Sequence, residues 1–197
     1  MRIAILPGSF DPIQTGHIKI ALNLIRELEL DKLYFLVEPR PRRRQGVKSV
    51  KHRDNMVRLA IQSQPKIGSI IIDNARFTIS ESWPKLHERF KGSVIYLVLN
   101  NKNLSYMIEW PQDNGLDKMA PTFVINTDVD VADDMQSKVS VISQTKAMKL
   151  DLRILSICDR TENARSLRHK IRKDQISSEI NPSVLNYIND NGLYKPL

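Results

Sequence analysis

The sequence predicts an α/β protein, a doubly wound parallel sheet with helices on both faces and a small C-terminal helical extension. Three observations carry that expectation. Apolar runs of strand length alternate with longer segments whose apolar residues recur at helical spacing. The first run ends in a loop with Gly and Pro that opens into a helix, the place where such sheets bind ligands. The 197 residues, 41% of them apolar, suffice for a full hydrophobic core in one domain spanning 1–197.

Taken in order, Arg2–Leu6 reads as a buried first strand, and the loop after it bears Pro7, Gly8, Asp11 and Pro12. Gly16 to about Glu29 reads as a helix, with Ile18, Ala21, Leu22, Ile25 and Leu28 at helical spacing. Lys32–Val37 is the second strand, Glu38–Val50 a basic loop, Lys51–Ser63 a helix and Ile67–Ile72 the third strand. Thr78 and Glu81 have the spacing of a capping box at the head of a helix through Leu86 and Phe90. Pro84 is tolerable there only in the first turn. Ser93–Leu99, Thr122–Asn126 and Asp151–Ile157 read as further strands, and the acidic stretch Asp128–Asp134 as a loop. Asn163–Lys173 is a basic helix. The last helix has Pro182 near its first position, carries Val184, Leu185, Tyr187 and Ile188, and stops at Gly192. The whole reads as a Rossmann-like sheet with a helical part from about residue 160 to 197.

The lone cysteine, Cys158, cannot form an internal disulfide and sits at the end of a strand, where a buried, inert thiol is expected. The N-terminal apolar run is too short for a secretory signal, and no stretch approaches a membrane span, so a cytoplasmic protein with no membrane partner is expected. The net charge of +8 is concentrated. Arg40–Arg53 holds seven Lys/Arg and no acid; Arg160–Lys173 holds six against Glu162 alone. Two focused basic patches point to anionic partners, a polyphosphate or a nucleic acid. The first patch has no interleaved aromatic for base stacking, which argues against nucleic acid. Trp83 and Trp110 read as packing aromatics, and His87 and His169 as solvated side chains. No Cys/His/Asp cluster has metal-ligand spacing, so no protein-bound zinc is expected.

The loop Pro7–Thr15 lies where a ligand is expected. Gly8 lets backbone approach a phosphate, and Gly16 opens a helix whose first N–H groups and dipole favour an anion. His17, in the first helical turn, is placed to donate to a phosphate oxygen.

Gly8-Ser9-Phe10-Asp11-Pro12-Ile13-Gln14-Thr15-Gly16-His17 resembles the Gly-Ser-Phe-Asp-Pro-x-His-x-Gly-His signature of the nicotinate-nucleotide adenylyltransferases, within the His/Thr-x-Gly-His nucleotidylyltransferases. His52-Arg53, Met56 and Ala60 are similar to the family's His-Arg-x-x-Met-x-x-x-Ala helix. Val184, Tyr187, Ile188, Leu193 and Tyr194 are similar to its closing Val-x-x-Tyr-Ile-x-x-x-x-Leu-Tyr. The resemblance implies a reaction in which ATP and nicotinate mononucleotide give the dinucleotide and pyrophosphate, with Mg²⁺ accompanying ATP. It implies that Gly8, Ser9, Phe10 and Gly16 lie along ATP and that His17, with Gln14, serves catalysis. Asn163, Arg165 and Arg168 would meet the ATP phosphates; Arg42, Arg43, Arg44, Phe77, Thr78 and Trp110 would meet the mononucleotide acceptor.

The chain departs from the family pattern at several positions. Gln14 stands for His, Asn100-Asn101-Lys102 for Gly-x-Asp, Asn126-Thr127-Asp128 for Arg-Pro-Gly, and Asn163-Ala164-Arg165 for Ser-Ser-Thr. Two other readings stay open at this point: nucleotidyl transfer to a different phosphate acceptor, and a non-catalytic member that binds nucleotide or nucleic acid. A homo-oligomer is also left open.

Overall fold

Strands and helices alternate from β1 to β4 as the apolar pattern requires, and the described elements in order are β1 (Arg2–Gly8), α1 (Thr15–Glu27), β2 (Lys32–Val37), α2 (Val50–Ile61), β3 (Ile67–Ile70), α3 (Ile79–Arg89), β4 (Val94–Asn100), β5 (Thr122–Thr127), β6 (Leu152–Ser156), α4 (Ala164–Arg172) and α5 (Pro182–Asp190). The computed structural model describes residues 1–41, 46–73, 77, 79–100, 122–127, 152–156, 164–173, 175 and 178–195. The expected loop Asp128–Asp134 and Cys158 lie outside the described residues.

The strands form one six-stranded sheet in the order β3-β2-β1-β4-β5-β6, and every pair is parallel. This is the doubly wound order, and it reverses beside β1, so the carboxyl ends of β1 and β4 flank the crevice where such sheets take ligands. β1 is central, paired with β2 from Ile3 to Gly8 and with β4 from Arg2 to Ile5. Its residues Ile3, Ala4 and Ile5 are buried, as a strand covered on both faces demands. Pairing continues through Pro7 and Gly8, which the sequence reading assigned to the loop. Both lie against Leu36 and Val37 of β2 and so extend the ladder.

The core gathers Ala21, Leu24 and Ile25 of α1, Leu33 and Phe35 of β2, and Met56 and Val57 of α2. Leu167 and Ile171 of α4, Val184 and Ile188 of α5, and Leu193 and Tyr194 beyond α5 belong to the same cluster. The C-terminal helices therefore help close the core. Trp83 is buried, in keeping with a packing role, whereas His87 and His169 are exposed.

Local chemistry accounts for the helix ends. Ser49 Oγ accepts the His52 N–H at the start of α2, and Asn181 Oδ1 accepts the Ser183 N–H at the start of α5. Pro182 takes the first position of α5, where its missing N–H costs nothing. After α5, Gly192 turns left-handed (φ 57°), and the N–H groups of Gly192 and Leu193 return to the carbonyls of Asn189 and Ile188. Pro84 differs from expectation. It lies well inside α3 rather than in its first turn, at the cost of one backbone hydrogen bond in a helix anchored by buried Trp83 and Leu86.

At the β2–β3 junction, Gly68 faces Tyr34 across the ladder, and a Cβ there would lie 2.7 Å from two Tyr34 ring carbons. The same ring packs on Phe90 at 5.0 Å between centroids. Gly68→Ala is therefore expected to lower stability by about 1–3 kcal/mol through overpacking. Adding Tyr34→Ala should recover part of that loss. Urea unfolding of both singles and the double variant checks this; strictly additive effects would exclude the contact as the cause.

Candidate active site

The turn Ser9–Gln14 leaves the carboxyl end of β1 at the reversal of strand order and delivers the chain into α1. Its shape is set from below. Phe10 adopts a left-handed backbone (φ 46°), rare for a bulky residue and costly by about 1–3 kcal/mol unless its surroundings enforce it. They do so through the ring, which is buried edge-on against Phe35 (5.0 Å) and His17 (5.5 Å). The ring also lies directly over Gly8, where any Cβ would come within 2.7 Å of it. Gly8 thus makes room for the Phe10 ring, in addition to any part it plays toward a phosphate. Phe10 offers the turn its backbone, since its side chain is core.

His17 is the third residue of α1 and half-buried. Its Nδ1 accepts the backbone N–H of Gln14, the N-cap residue, at 3.1 Å. An accepting Nδ1 leaves the ring proton on Nε2, which is therefore the ring's donor nitrogen. Gln14 is only 2% exposed, and it orients His17 through its backbone. The helix begins one residue earlier than expected, at Thr15, whose N–H donates to the Glu179 carbonyl at 2.8 Å. Gly16 is buried in the same first turn.

Two buried polar groups fix the turn. Arg53, on α2, is completely buried, and its guanidinium donates to three backbone carbonyls. Nη1 reaches Ser9 (2.7 Å), Nη2 reaches Pro39 (2.9 Å) and Nε reaches Lys48 (2.8 Å). Burial pushes its pKa below the ordinary arginine value, opposed chiefly by the carboxylate of Asp11. Counted in the sequence as part of a basic surface patch, Arg53 is an interior clamp.

Asp11 is the second. Its Oδ1 accepts the Tyr194 hydroxyl (2.7 Å) and the Lys48 N–H (3.3 Å). Arg168 Nη1, from α4, donates to the Asp11 carbonyl (2.8 Å) and pairs with Oδ2 at 3.5 Å. The Asp11–Pro12 peptide is cis. Lys48 Nζ stands 5.5 Å over the Tyr194 ring, and Arg172 Nε donates to the Tyr194 carbonyl at 3.0 Å. The end of the chain is so fastened to its beginning.

Of the residues expected at the site, Gly8, Ser9, Phe10, Gln14, Gly16, His17 and Arg168 come together around this turn. Arg165 is exposed in the first turn of α4, three residues before Arg168. Phe77, half-buried, precedes α3. Arg42, Arg43, Arg44, Thr78, Trp110 and Asn163, and the departures at Asn101, Lys102 and Asp128, lie outside the described residues. Sequence reasoning missed Arg53, Asp11 and Tyr194 as site-shaping groups, although all three stand inside the quoted motifs.

Burial, reinforced by the Asp11 charge, raises the Tyr194 pKa far above the ordinary phenol value. A raised folded-state pKa means that the protonated hydroxyl contributes its full stability below about pH 10, and that this is lost as pH rises past it. Tyr194→Phe should cost about 1–3 kcal/mol near neutrality by leaving Asp11 short of a donor. The gap in urea stability between wild type and variant should shrink from pH 8 to 11. A constant gap would exclude the Tyr194–Asp11 bond as its source.

Comparison with known proteins places this geometry. The cytidylyltransferase-like family matches residues 5–178. The chain is 28% identical over 202 aligned positions to the "probable nicotinate-nucleotide adenylyltransferase" of Borreliella afzelii, covering 98% of this chain and 97% of the relative. It is 28% identical over 200 positions to the protein of the same name from Dictyoglomus thermophilum, covering 98% and 100%. Among solved structures, the Plasmodium falciparum nicotinic acid mononucleotide adenylyltransferase complexed with NaAD superposes with a TM-score of 0.73 at 16% identity, over 98% of this chain and 97% of the other. At that identity the likeness is one of fold. With the doubly wound sheet, the turn after β1 and a family match over most of its length, the chain belongs to the cytidylyltransferase-like family.

Proposed function

We propose that this chain is an adenylyltransferase that moves AMP from ATP to nicotinate mononucleotide, giving the dinucleotide and pyrophosphate, as in NAD biosynthesis. The observation that carries the reading is the setting of His17: third residue of the helix at the sheet's switch point, with Nδ1 engaged by the Gln14 N–H so that the ring proton sits on Nε2. In this reaction an oxygen of the acceptor phosphate attacks the α-phosphorus and the bond to pyrophosphate breaks. Catalysis rests on position and charge, with little covalent participation by the protein. His17 Nε2–H donates to an α-phosphate oxygen as charge develops there. Arg168, tied to Asp11 through Nη1 alone among the described residues, turns the rest of its fork to the polyphosphate. The name shared by relatives aligned over nearly their whole length supports this choice of acceptor.

Magnesium fits this site as a companion of the triphosphate. Both Asp11 oxygens are committed to protein donors, so the ion's ligands would be phosphate oxygens and water, the usual preference of Mg²⁺. When bound, the ion neutralises polyphosphate charge. A cytoplasmic setting belongs to the same proposal; among the described residues no helix is long and apolar enough to cross a membrane.

Pyrophosphate release from ATP–Mg²⁺, assayed with nicotinate mononucleotide, nicotinamide mononucleotide and phosphopantetheine, tests the reading. Release is expected with the first; a preference for either of the others would reassign the acceptor. His17→Ala should lower turnover about 10²–10³-fold, the typical effect of removing one preorganised donor. Gln14→Ala keeps the backbone N–H that holds His17 and should cost about tenfold or less. Unchanged turnover in folded His17→Ala would remove His17 from catalysis.

A further inference from the structure

We infer that Arg53 is a positioning residue for nucleotide binding, acting through the Ser9–Phe10 peptide; the inference rests on the reading that the turn after β1 receives a nucleotide. A peptide unit is planar, and this one is trans, so its C=O and N–H point to opposite sides. Arg53 Nη1 draws the Ser9 carbonyl inward at 2.7 Å, which turns the Phe10 N–H away from the guanidinium. The left-handed backbone of Phe10 and its ring, wedged over Gly8, keep the plane from flipping.

The other two arms hold the guanidinium in place. Nη2 and Nε are bound to the carbonyls of Pro39, just past β2, and Lys48, just before α2. A planar fork serves three diverging carbonyls; a lysine ammonium is a point charge without that geometry. Removing the fork need not collapse the turn, because Asp11 remains tied to Tyr194, Lys48 and Arg168. What is lost is the aim of one N–H donor. The consequence is specific: ligands bearing phosphates are affected and those without them are not.

Calorimetric titration of wild type, Arg53→Lys and Arg53→Gln with ATP–Mg²⁺, inorganic tripolyphosphate and adenosine tests this well below the melting temperature. Both variants should bind ATP and tripolyphosphate about tenfold more weakly, the effect of losing one well-aimed hydrogen bond, with adenosine affinity changed less than about twofold. Gln, which keeps two donors of a planar amide, should lose less than Lys. A parallel loss for all three ligands would mark Arg53 as merely structural and overturn the inference, as would unchanged binding throughout. Failure of both variants to fold would overturn it too, since no separable positioning role would remain. If wild type binds none of the ligands, the nucleotide reading itself fails, which is a different result from any of these.

Discussion

A guanidinium taken wholly out of water must find donors' partners inside, and Arg53 finds them in three carbonyls at loop ends that no sheet ladder could satisfy. The parallel sheet makes this possible. Because all strands run the same way, the chain leaves β1 and β2 on one edge, and Ser9 and Pro39 arrive there within reach of a single side chain. The first turn of α2 then carries Arg53 in from below, one residue after the His52 N–H that the Ser49 N-cap accepts. The turn after β1 is thus shaped by a residue more than forty positions away in sequence.

The second dependence runs from one end of the chain to the other. Tyr194 and Asp11 are 183 residues apart, yet their hydrogen bond is among the buried ones at the site. The left-handed Gly192 ends α5 so that Leu193 and Tyr194 drop into the core, and Arg172 holds the Tyr194 carbonyl from α4. Asp11 gathers these contacts with Arg168 and the Lys48 N–H. Its carboxylate therefore links the segments that bear the basic patches, and Arg168 is presented from a helix whose apolar side, Leu167 and Ile171, is fixed in the common core.

Most of the element order was legible because periodicity reports which face is buried, and burial is what builds these elements. The six described strands fall where apolar runs placed them, and the parallel pairing among β1 to β4 is what the helices between those strands require. Roles within the turn were harder to read. A glycine before an aromatic can serve a ligand's phosphate or the aromatic's own ring, and only coordinates show that Phe10 folds back over Gly8. Arg53 sits in a run of seven basic residues, and composition cannot say which cation points inward. Thr15, rather than Gly16, opens α1 because a carbonyl from the distant Glu179 receives its N–H, a contact with no local signal. Pro84 inside α3 is the opposite case: tertiary burial of Trp83 and Leu86 overrides a local rule.

The departure at position 14 acquires a physical meaning from this geometry. A histidine there could carry charge toward a phosphate, and glutamine cannot. Yet the contact that orients His17 comes from the backbone N–H of residue 14, which every residue except proline provides. The backbone contact on the imidazole thereby survives a change of side chain at 14, while the Gln14 side chain adds the other half of the capping box. Position 17 is different in kind, because there the ring itself supplies the acceptor that caps the helix, and under the proposed reaction it would also supply the donor on Nε2. A side chain able to accept at one end and donate at the other, with rigid spacing between, is an imidazole. Glutamine at 14 beside histidine at 17 is what the backbone hydrogen bonding of this turn permits.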